Sequence, residues 1–262
     1  MARRRLDAEL VRRGDARSRE HACELIAAGA VTVNGAVAAK PATQVEDSAP
    51  IVVRMPSGDP GYVSRGAHKL VGALDAFDVD PAGRVCLDAG ASTGGFTDVL
   101  LRRGAHLVFA VDVGYGQLAW SISSDDRGVV MDRCNVRELQ QLPTAPSLVV
   151  ADLSFISLTL VLQALKLVAD ADAEYLLMVK PQFEVGKDLV GAGGVVRDPQ
   201  LREQAVAKVV KAAHDVGLGL RGVVASPLPG PSGNVEYFVW LHQTGAEHPE
   251  LLIPRAIEEG PT

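Results

Sequence analysis

The sequence predicts an α/β protein: a mostly parallel sheet covered on both faces by helices, preceded by a small unit of helices and short strands. Three observations predict it. Beyond residue 60, apolar strand-like runs alternate with helical stripes, the pattern of sheets built from strand–helix–strand units. The run Asp88-Ala89-Gly90-Ala91-Ser92-Thr93-Gly94-Gly95-Phe96 sits where a strand, Val85 to Leu87, turns sharply into a helix. Asp112 closes the next apolar run, 24 residues after Asp88. Nucleotide-binding α/β folds place the carboxylate that takes ribose hydroxyls at about that distance.

The first 55 residues read as a unit of their own. Leu6, Leu10 and Val11 have helical spacing and stop near Gly14. Ser18 reads as an N-cap with Glu20 in the first turn, and Ala22, Leu25 and Ile26 form the apolar stripe of a second helix ending at Gly29. Val31 to Val37 reads as two short strands around the Asn34-Gly35 turn, and Ile51 to Arg54 as a last strand. The Pro- and Gly-rich run from Met55 to Gly61 is the natural linker. The expected division is a first domain over 1–59, a linker over 60–64, a second domain over 65–245 and a tail over 246–262.

In the second domain a helix from Lys69 to Phe77 precedes the strand 84–88, and a helix over 95–103 precedes the strand 107–112. A short helix over 117–123 leads to a strand over 128–131. Strands at Leu148–Ala151 and Tyr175–Val179 flank a helix over 157–168, and a helix over 199–214 is followed by strands over 221–225 and 235–241. Ligands of such sheets bind outside the carboxyl ends of the strands.

Composition narrows the function. The chain is 47% apolar with net charge −6, but residues 1–69 carry 11 Lys and Arg against 8 Asp and Glu, leaving 15 against 24 for the remainder. A cationic head on an acidic body points to a polyanion partner, against the plainer reading of a solvated arm. Three separated cysteines and six scattered histidines form no metal-ligand spacing, and a reducing cytoplasm suits them. The Arg-rich start is followed by no apolar leader core, and the longest apolar-leaning run, Leu153 to Leu165, is shorter than a membrane span. A cytoplasmic monomer without a membrane partner or a metal is expected.

Four polar residues stand out of place. Asp152 directly follows an apolar strand, Lys180 directly follows another, Glu236 lies within the run 234–240, and Lys69 sits on the helix before the first strand. Singly, each reads as a charge emerging at an element's end. Together, beside a glycine loop, they suit acid–base work. A lysine desolvated against apolar walls and beside a second lysine gives up its proton more readily. It then takes a proton from a weakly acidic hydroxyl such as a ribose 2′-OH, while carboxylates orient it. An already activated methyl donor needs only alignment.

Lys69, Asp152, Lys180 and Glu236 resemble, in order and element, the Lys-Asp-Lys-Glu tetrad of the FtsJ-like ribose 2′-O-methyltransferases, and Asp88 to Phe96 looks like their S-adenosylmethionine loop. The loop departs from that pattern in having Thr93 where proline is usual, and no glycine at Ser92. Ser18-Arg19, Ala22, Leu25-Ile26, Gly29, Val31, Val33 and Asn34-Gly35 resemble the S-four-type RNA-binding domain. Both modules, joined by Val63 to Leu70 and accompanied by Lys180 to Lys187 and Ser226 to Asn234, are characteristic of the TlyA family. The resemblance covers all but the C-terminal end. It implies a Rossmann-like class I methyltransferase fold behind a small α+β RNA-binding domain.

That family is described as methylating cytidines of 16S and/or 23S rRNA, and also as hemolysins. By this resemblance Lys180 is the general base, with Lys69, Asp152 and Glu236 orienting it and the hydroxyl. S-adenosylmethionine is the cofactor, with Asp88, Gly90, Ser92, Thr93, Gly94, Gly95, Asp112 and Asp152 around it. Phe96, Asp132 and Asn135 are looser candidates at the adenosine end, and Leu153-Ser154-Phe155 is expected to shape the methyl pocket. Arg5, Arg17 and Arg19 on the small domain, and Arg65, His68 and Arg133 nearer the site, are the candidate contacts to ribosomal RNA or ribosomal subunits. Two alternatives differ in class. A membrane-acting hemolysin requires a lytic segment that the sequence does not supply, and a non-catalytic ribosome-binding factor leaves the tetrad without a use.

Overall fold

The computed structural model describes residues 3–16, 19–53, 60–246 and 248–260; Arg17, Ser18, Arg54 and Met55 to Asp59 of the expected linker lie outside them. Contacts divide the chain into two units, Met1–Ser64 and Arg65–Thr262.

In the first unit β1 (Arg3–Arg5) runs into α1 (Leu6–Arg13). The helix stops because Gly14 takes the left-handed conformation (φ 80°) and its N–H caps the carbonyls of Leu10 and Val11. Then follow α2 (Arg19–Ala27), β2 (Val31–Val33), β3 (Ala36–Val37), β4 (Gln44–Glu46) and β5 (Ile51–Val53). Asn34 and Gly35 both have positive φ, as the two-residue hairpin between β2 and β3 requires. The strands form a three-stranded sheet, β3-β2-β5, and a separate pair, β1-β4. Leu6, Leu10, Leu25, Ile26, Val31 and Val45 make the core. Strands β1 and β4 were not legible: each is three residues long, and Arg3 to Arg5 are all exposed, with no apolar alternation.

The second unit runs α3 (Gly66–Phe77), β6 (Val85–Ala89), α4 (Gly95–Arg102), β7 (Leu107–Val111), α5 (Trp120–Ser123) and β8 (Gly128–Met131). It continues with β9 (Leu148–Ala151), α6 (Leu162–Val168), β10 (Glu174–Val179), α7 (Pro181–Glu184), α8 (Pro199–Asp215), β11 (Gly219–Ala225), β12 (Tyr237–His242) and α9 (Leu252–Glu259). The sheet order is β11-β12-β10-β9-β6-β7-β8, with β12 antiparallel to both neighbours and the other strands parallel. The strand order reverses between β6 and β9, the switch point at which open α/β sheets bind ligands. Leu87, Val149, Leu177 and Val239 from four neighbouring strands are fully buried in one core.

The segment over 246–262, read as a tail, carries α9, which packs on β11 and α8 with Ile253 and Ala256 in the core. Pro254 disguised it. A proline is tolerated there because it falls in the first turn, where backbone N–H groups have no helical partner.

Candidate active site

Strand direction assembles the site. The parallel strands β6, β9 and β10 end at one edge of the sheet, delivering Gly90, Asp152 and Lys180 there. Strand β12 runs the other way, so its beginning lies at the same edge, and Glu236 stands immediately before Tyr237 rather than within the strand. Val179 pairs with Tyr237 as the last rung of β10 and β12, which sets Lys180 and Glu236 opposite one another one step beyond the ladder.

The four residues form two ion pairs. Lys69 Nζ on α3 donates to Glu236 Oε2 at 2.5 Å, a buried contact. Lys180 Nζ lies 2.6 Å from Asp152 Oδ1 and donates to Ser154 Oγ at 2.8 Å. Each ammonium is matched to its own carboxylate, the arrangement in which buried charges are tolerated. Among the described residues, Glu236 Oε1 is buried without a hydrogen-bond partner, and so is Asp152 Oδ1, whose contact with Lys180 is ionic. Gly230 passes so close that a Cβ there would lie 2.5 Å from Glu236 Oε1.

The glycine loop comes closest to these residues at Gly90. Gly90 has φ 89°, and a Cβ on it would lie 2.8 Å from the carbonyl oxygen of Asp152. Ser92, at φ 48°, is a non-glycine residue in the left-handed region, where strain is stored only if the surroundings hold it. Its N–H donates to Asp112 Oδ2 at 2.8 Å, and Asp112 Oδ1 accepts from Gly114 N at 2.7 Å. The exposed Thr93 accepts from Ala119 N through its carbonyl at 3.1 Å. Gly94 opens α4 and Gly95 is the helix's first residue. Asp88 is wholly buried; Oδ2 accepts from Thr97 Oγ1 at 2.7 Å while Oδ1 has no partner among the described residues. Burial, and to a smaller extent the nearby carboxylates of Asp152 and Asp112, push its carboxyl up to about 7 against the hydrogen bond from Thr97.

Two of the looser candidates have partners of their own. Phe96 is 4% exposed and stacks on Phe238 at 6.0 Å between ring centroids, a contact within the core. Asn135 spends its side chain locally: Oδ1 caps Arg137 N and Nδ2 donates to Glu138 Oε1 at 3.1 Å. Asp132 remains near the loop after β7, accepting from Gly116 N at 2.8 Å.

The loop after β9 carries Phe155, which with Leu153 and Ser154 is expected to shape the methyl pocket, and its far end meets Glu184, to which sequence reasoning gave no role. Phe155 is 91% exposed at φ 64° and lies 5.3 Å from the ring of Phe183. Buried Glu184 ties the far end of that loop to α7, accepting from Ser157 Oγ at 2.5 Å and Leu158 N at 2.7 Å. The signal for Glu184 was an acid close behind Lys180, and nothing in the pattern marked it as buried.

Among the candidate RNA contacts, Arg5 and Arg19 are half-exposed to exposed and share the carboxylate of Asp7. Arg65 opens α3, and its carbonyl accepts from His68 N at 3.1 Å. The guanidinium of Arg133 lies 4.1 Å over the ring of Tyr115, within cation–π distance. No helix among the described residues is long and apolar enough to cross a membrane.

Comparison with known proteins bears on this geometry. A model of FtsJ-like methyltransferases matches residues 62–243, and a model of the S4 domain matches residues 4–51. The chain is 59% identical to the 16S/23S rRNA (cytidine-2′-O)-methyltransferase TlyA of Mycobacterium tuberculosis, over 100% of both chains. It is 40% identical to the putative rRNA methyltransferase YqxC of Bacillus subtilis, covering 97% of this chain and 93% of the other. Among solved structures, a putative hemolysin from Streptococcus thermophilus superposes with a TM-score of 0.77 at 35% identity, covering 99% of this chain and 97% of that one.

Proposed function

The chain belongs to the TlyA family, in which an S4 domain precedes an FtsJ-like methyltransferase domain, and we propose that it methylates the ribose 2′-OH of cytidine in 16S and/or 23S rRNA with S-adenosylmethionine. The observation that carries this reading is the convergence of two Lys–carboxylate pairs on the edge of the sheet where the glycine loop also ends.

The residues fit the cofactor. Gly90 keeps a cradle open against Asp152 that a Cβ would fill. Asp112 accepts one backbone N–H on each oxygen, and a carboxylate has lone pairs left for ribose hydroxyls. Asp88 and Asp132 border the same loops, with Ser92, Thr93, Gly94 and Gly95 forming the turn itself. When bound, S-adenosylmethionine supplies an electrophilic methyl on a sulfonium that leaves with its bonding pair.

As its neutral amine, Lys180 Nζ takes the proton of the 2′-OH as the oxygen bonds to carbon and becomes the ammonium, so no alkoxide need be released into water. Asp152 and Ser154 hold that nitrogen from two sides, which fixes where the proton goes. Lys69, held by Glu236, supplies positive charge where the oxygen becomes negative. Alignment does the remaining work. Arg5, Arg17 and Arg19 grip phosphate on the small unit, and Arg65, His68 and Arg133 guide the strand on the larger one.

The test is mapping of ribose methylation by mass spectrometry after incubation with isolated 30S and 50S subunits and labelled cofactor. The expected result is 2′-O-methylcytidine in one or both rRNAs, lost in Lys180→Ala while cofactor binding persists. Absence of the modified cytidine with the wild-type chain refutes the reading.

A further inference from the structure

The N-terminal helix α1 hides two acids on what its sequence presents as a polar face. Asp7 is 2% exposed and Glu9 is wholly buried. Each is covered by arginines. Arg5 grips Asp7 with a two-pronged contact, Nε to Oδ1 at 3.1 Å and Nη2 to Oδ2 at 2.9 Å. Arg19, the first residue of α2, reaches the same Oδ2 with Nη2 at 2.9 Å. Asp7 is itself fixed, accepting the N–H of Ala8 at 2.8 Å. Glu9 does likewise for neighbours on its own helix, accepting from Arg12 and Arg13.

Resting on the reading that this unit grips RNA, we propose that Asp7 is a positioning residue: a buried carboxylate that locks the guanidinium groups of Arg5 and Arg19, from two different elements, at a fixed spacing for RNA phosphates. The geometry leaves donors over. A guanidinium carries five N–H groups, and Asp7 engages two nitrogens of Arg5 and one of Arg19. Both arginine side chains keep about half their surface in solvent, so neither is consumed by the pairing. A free arginine loses most of its rotamer freedom on meeting a phosphate; one already clamped loses less, and its fork arrives oriented. The two guanidinium groups nearest Asp7 also hold its carboxyl well below the usual carboxylate range, so the clamp stays charged through the physiological range.

The proposal makes a prediction opposite in sign to simple electrostatics. Asp7→Asn removes a negative charge from a cationic face, which by charge alone strengthens binding to a polyanion and steepens its salt dependence. Positioning requires the reverse. Binding of the full chain to isolated 30S and 50S subunits is measured over a salt series at constant magnesium, and the subunits that the wild type methylates are used. Asp7→Asn is expected to bind roughly tenfold more weakly, with a log–log salt slope shallower by about 1 to 2. Asp15→Asn, an exposed acid just beyond α1 carrying the same charge change, is expected to show no such loss. The cycle with Arg5→Ala/Arg19→Ala separates positioning from general damage: in that background Asp7→Asn is expected to have no further effect. Unchanged or tighter binding by Asp7→Asn, or a full loss that persists without the two arginines, overturns the proposal. A wild-type chain that neither binds nor methylates the subunits defeats the underlying reading instead.

Discussion

Removing the ammonium of Lys69 isolates a deeply buried charge of the candidate site, the carboxylate of Glu236. Glu236 is 1% exposed, and Lys69 Nζ stands 2.5 Å from its Oε2. At that separation, with an effective dielectric of about 20, the gross attraction is about 7 kcal/mol. Desolvating the two ions costs several kcal/mol each, so the intact pair is close to neutral against an apolar pair of equal size. Breaking it is another matter. Lys69→Met leaves the Glu236 carboxylate buried and alone, a loss of about 3–5 kcal/mol. Replacing both residues, Lys69→Met with Glu236→Met, returns stability to within about 1–2 kcal/mol of the parent, because no orphaned charge remains. Urea unfolding followed by tryptophan fluorescence reads this cleanly, since Trp120 and Trp240 both belong to the second unit and the small unit is silent. For an m-value of about 2 kcal/mol/M the single variant's midpoint falls by about 2 M. Additive effects of the two substitutions, or a single variant as stable as the parent, refute the coupling. Methyl transfer is expected to stay lost in the double variant, which separates folding from chemistry.

Three further outcomes follow from the site. Lys180→Arg keeps a positive charge but cannot give up its proton, so single-turnover methylation is expected to fall by about 10²–10⁴-fold with cofactor affinity within a few fold by calorimetry; retained activity removes Lys180 as base. Asp88 takes up a proton more readily folded than unfolded, because burial raises its carboxyl from 3.8 to about 7. The folded state therefore binds the extra proton across that window, and stability falls as pH rises through it, by up to about 4 kcal/mol for this one group. Asp88→Asn is expected to flatten that part of the profile when melting temperatures are compared between pH 5 and pH 8. Gly90→Ala places a Cβ 2.8 Å from the Asp152 carbonyl at a φ of 89°; about 1–2 kcal/mol of backbone strain is expected together with a loss of cofactor binding larger than the loss of stability.

What could be read beforehand followed from abrupt changes of pattern. Asp152 and Lys180 stood out because each ends an unbroken apolar strand, and in a parallel sheet every such end falls on one edge. Glu236 was noticed for the wrong reason, as an acid inside a strand. Nothing local says that β12 runs backwards, and only that reversal brings an acid before a strand to the edge where others follow theirs. An aromatic beside a glycine loop reads as a ligand wall, and no local pattern shows that the Phe96 ring stacks on Phe238 of a distant strand. Asp7 and Glu9 escaped altogether. Charge counts treat them as solvated; Glu9 meets Arg12 and Arg13 at ordinary helical spacing, whereas no periodicity relates Asp7 to Arg5 and Arg19.

The irregularity in the outermost strand has a bearing on how the chain tolerates change. Pairing of β11 with β12 slips between Leu220 and Gly222, leaving Arg221 as an extra residue, while β10 and β12 pair without interruption from Tyr175 to Val179. Such a bulge absorbs one residue locally. Length variation in β11 is thus taken up at the rim of the sheet, on the side of β12 away from Lys180. A one-residue slip of β12 against β10 has no such outlet: it turns every side chain of the strand to the opposite face. Val235 or Tyr237 would then stand opposite Lys180, and Lys69 would lose its counter-charge. The sheet's edge strand acts as an expansion joint, and the strand beside it as the gauge that keeps two lysines and two acids in balance.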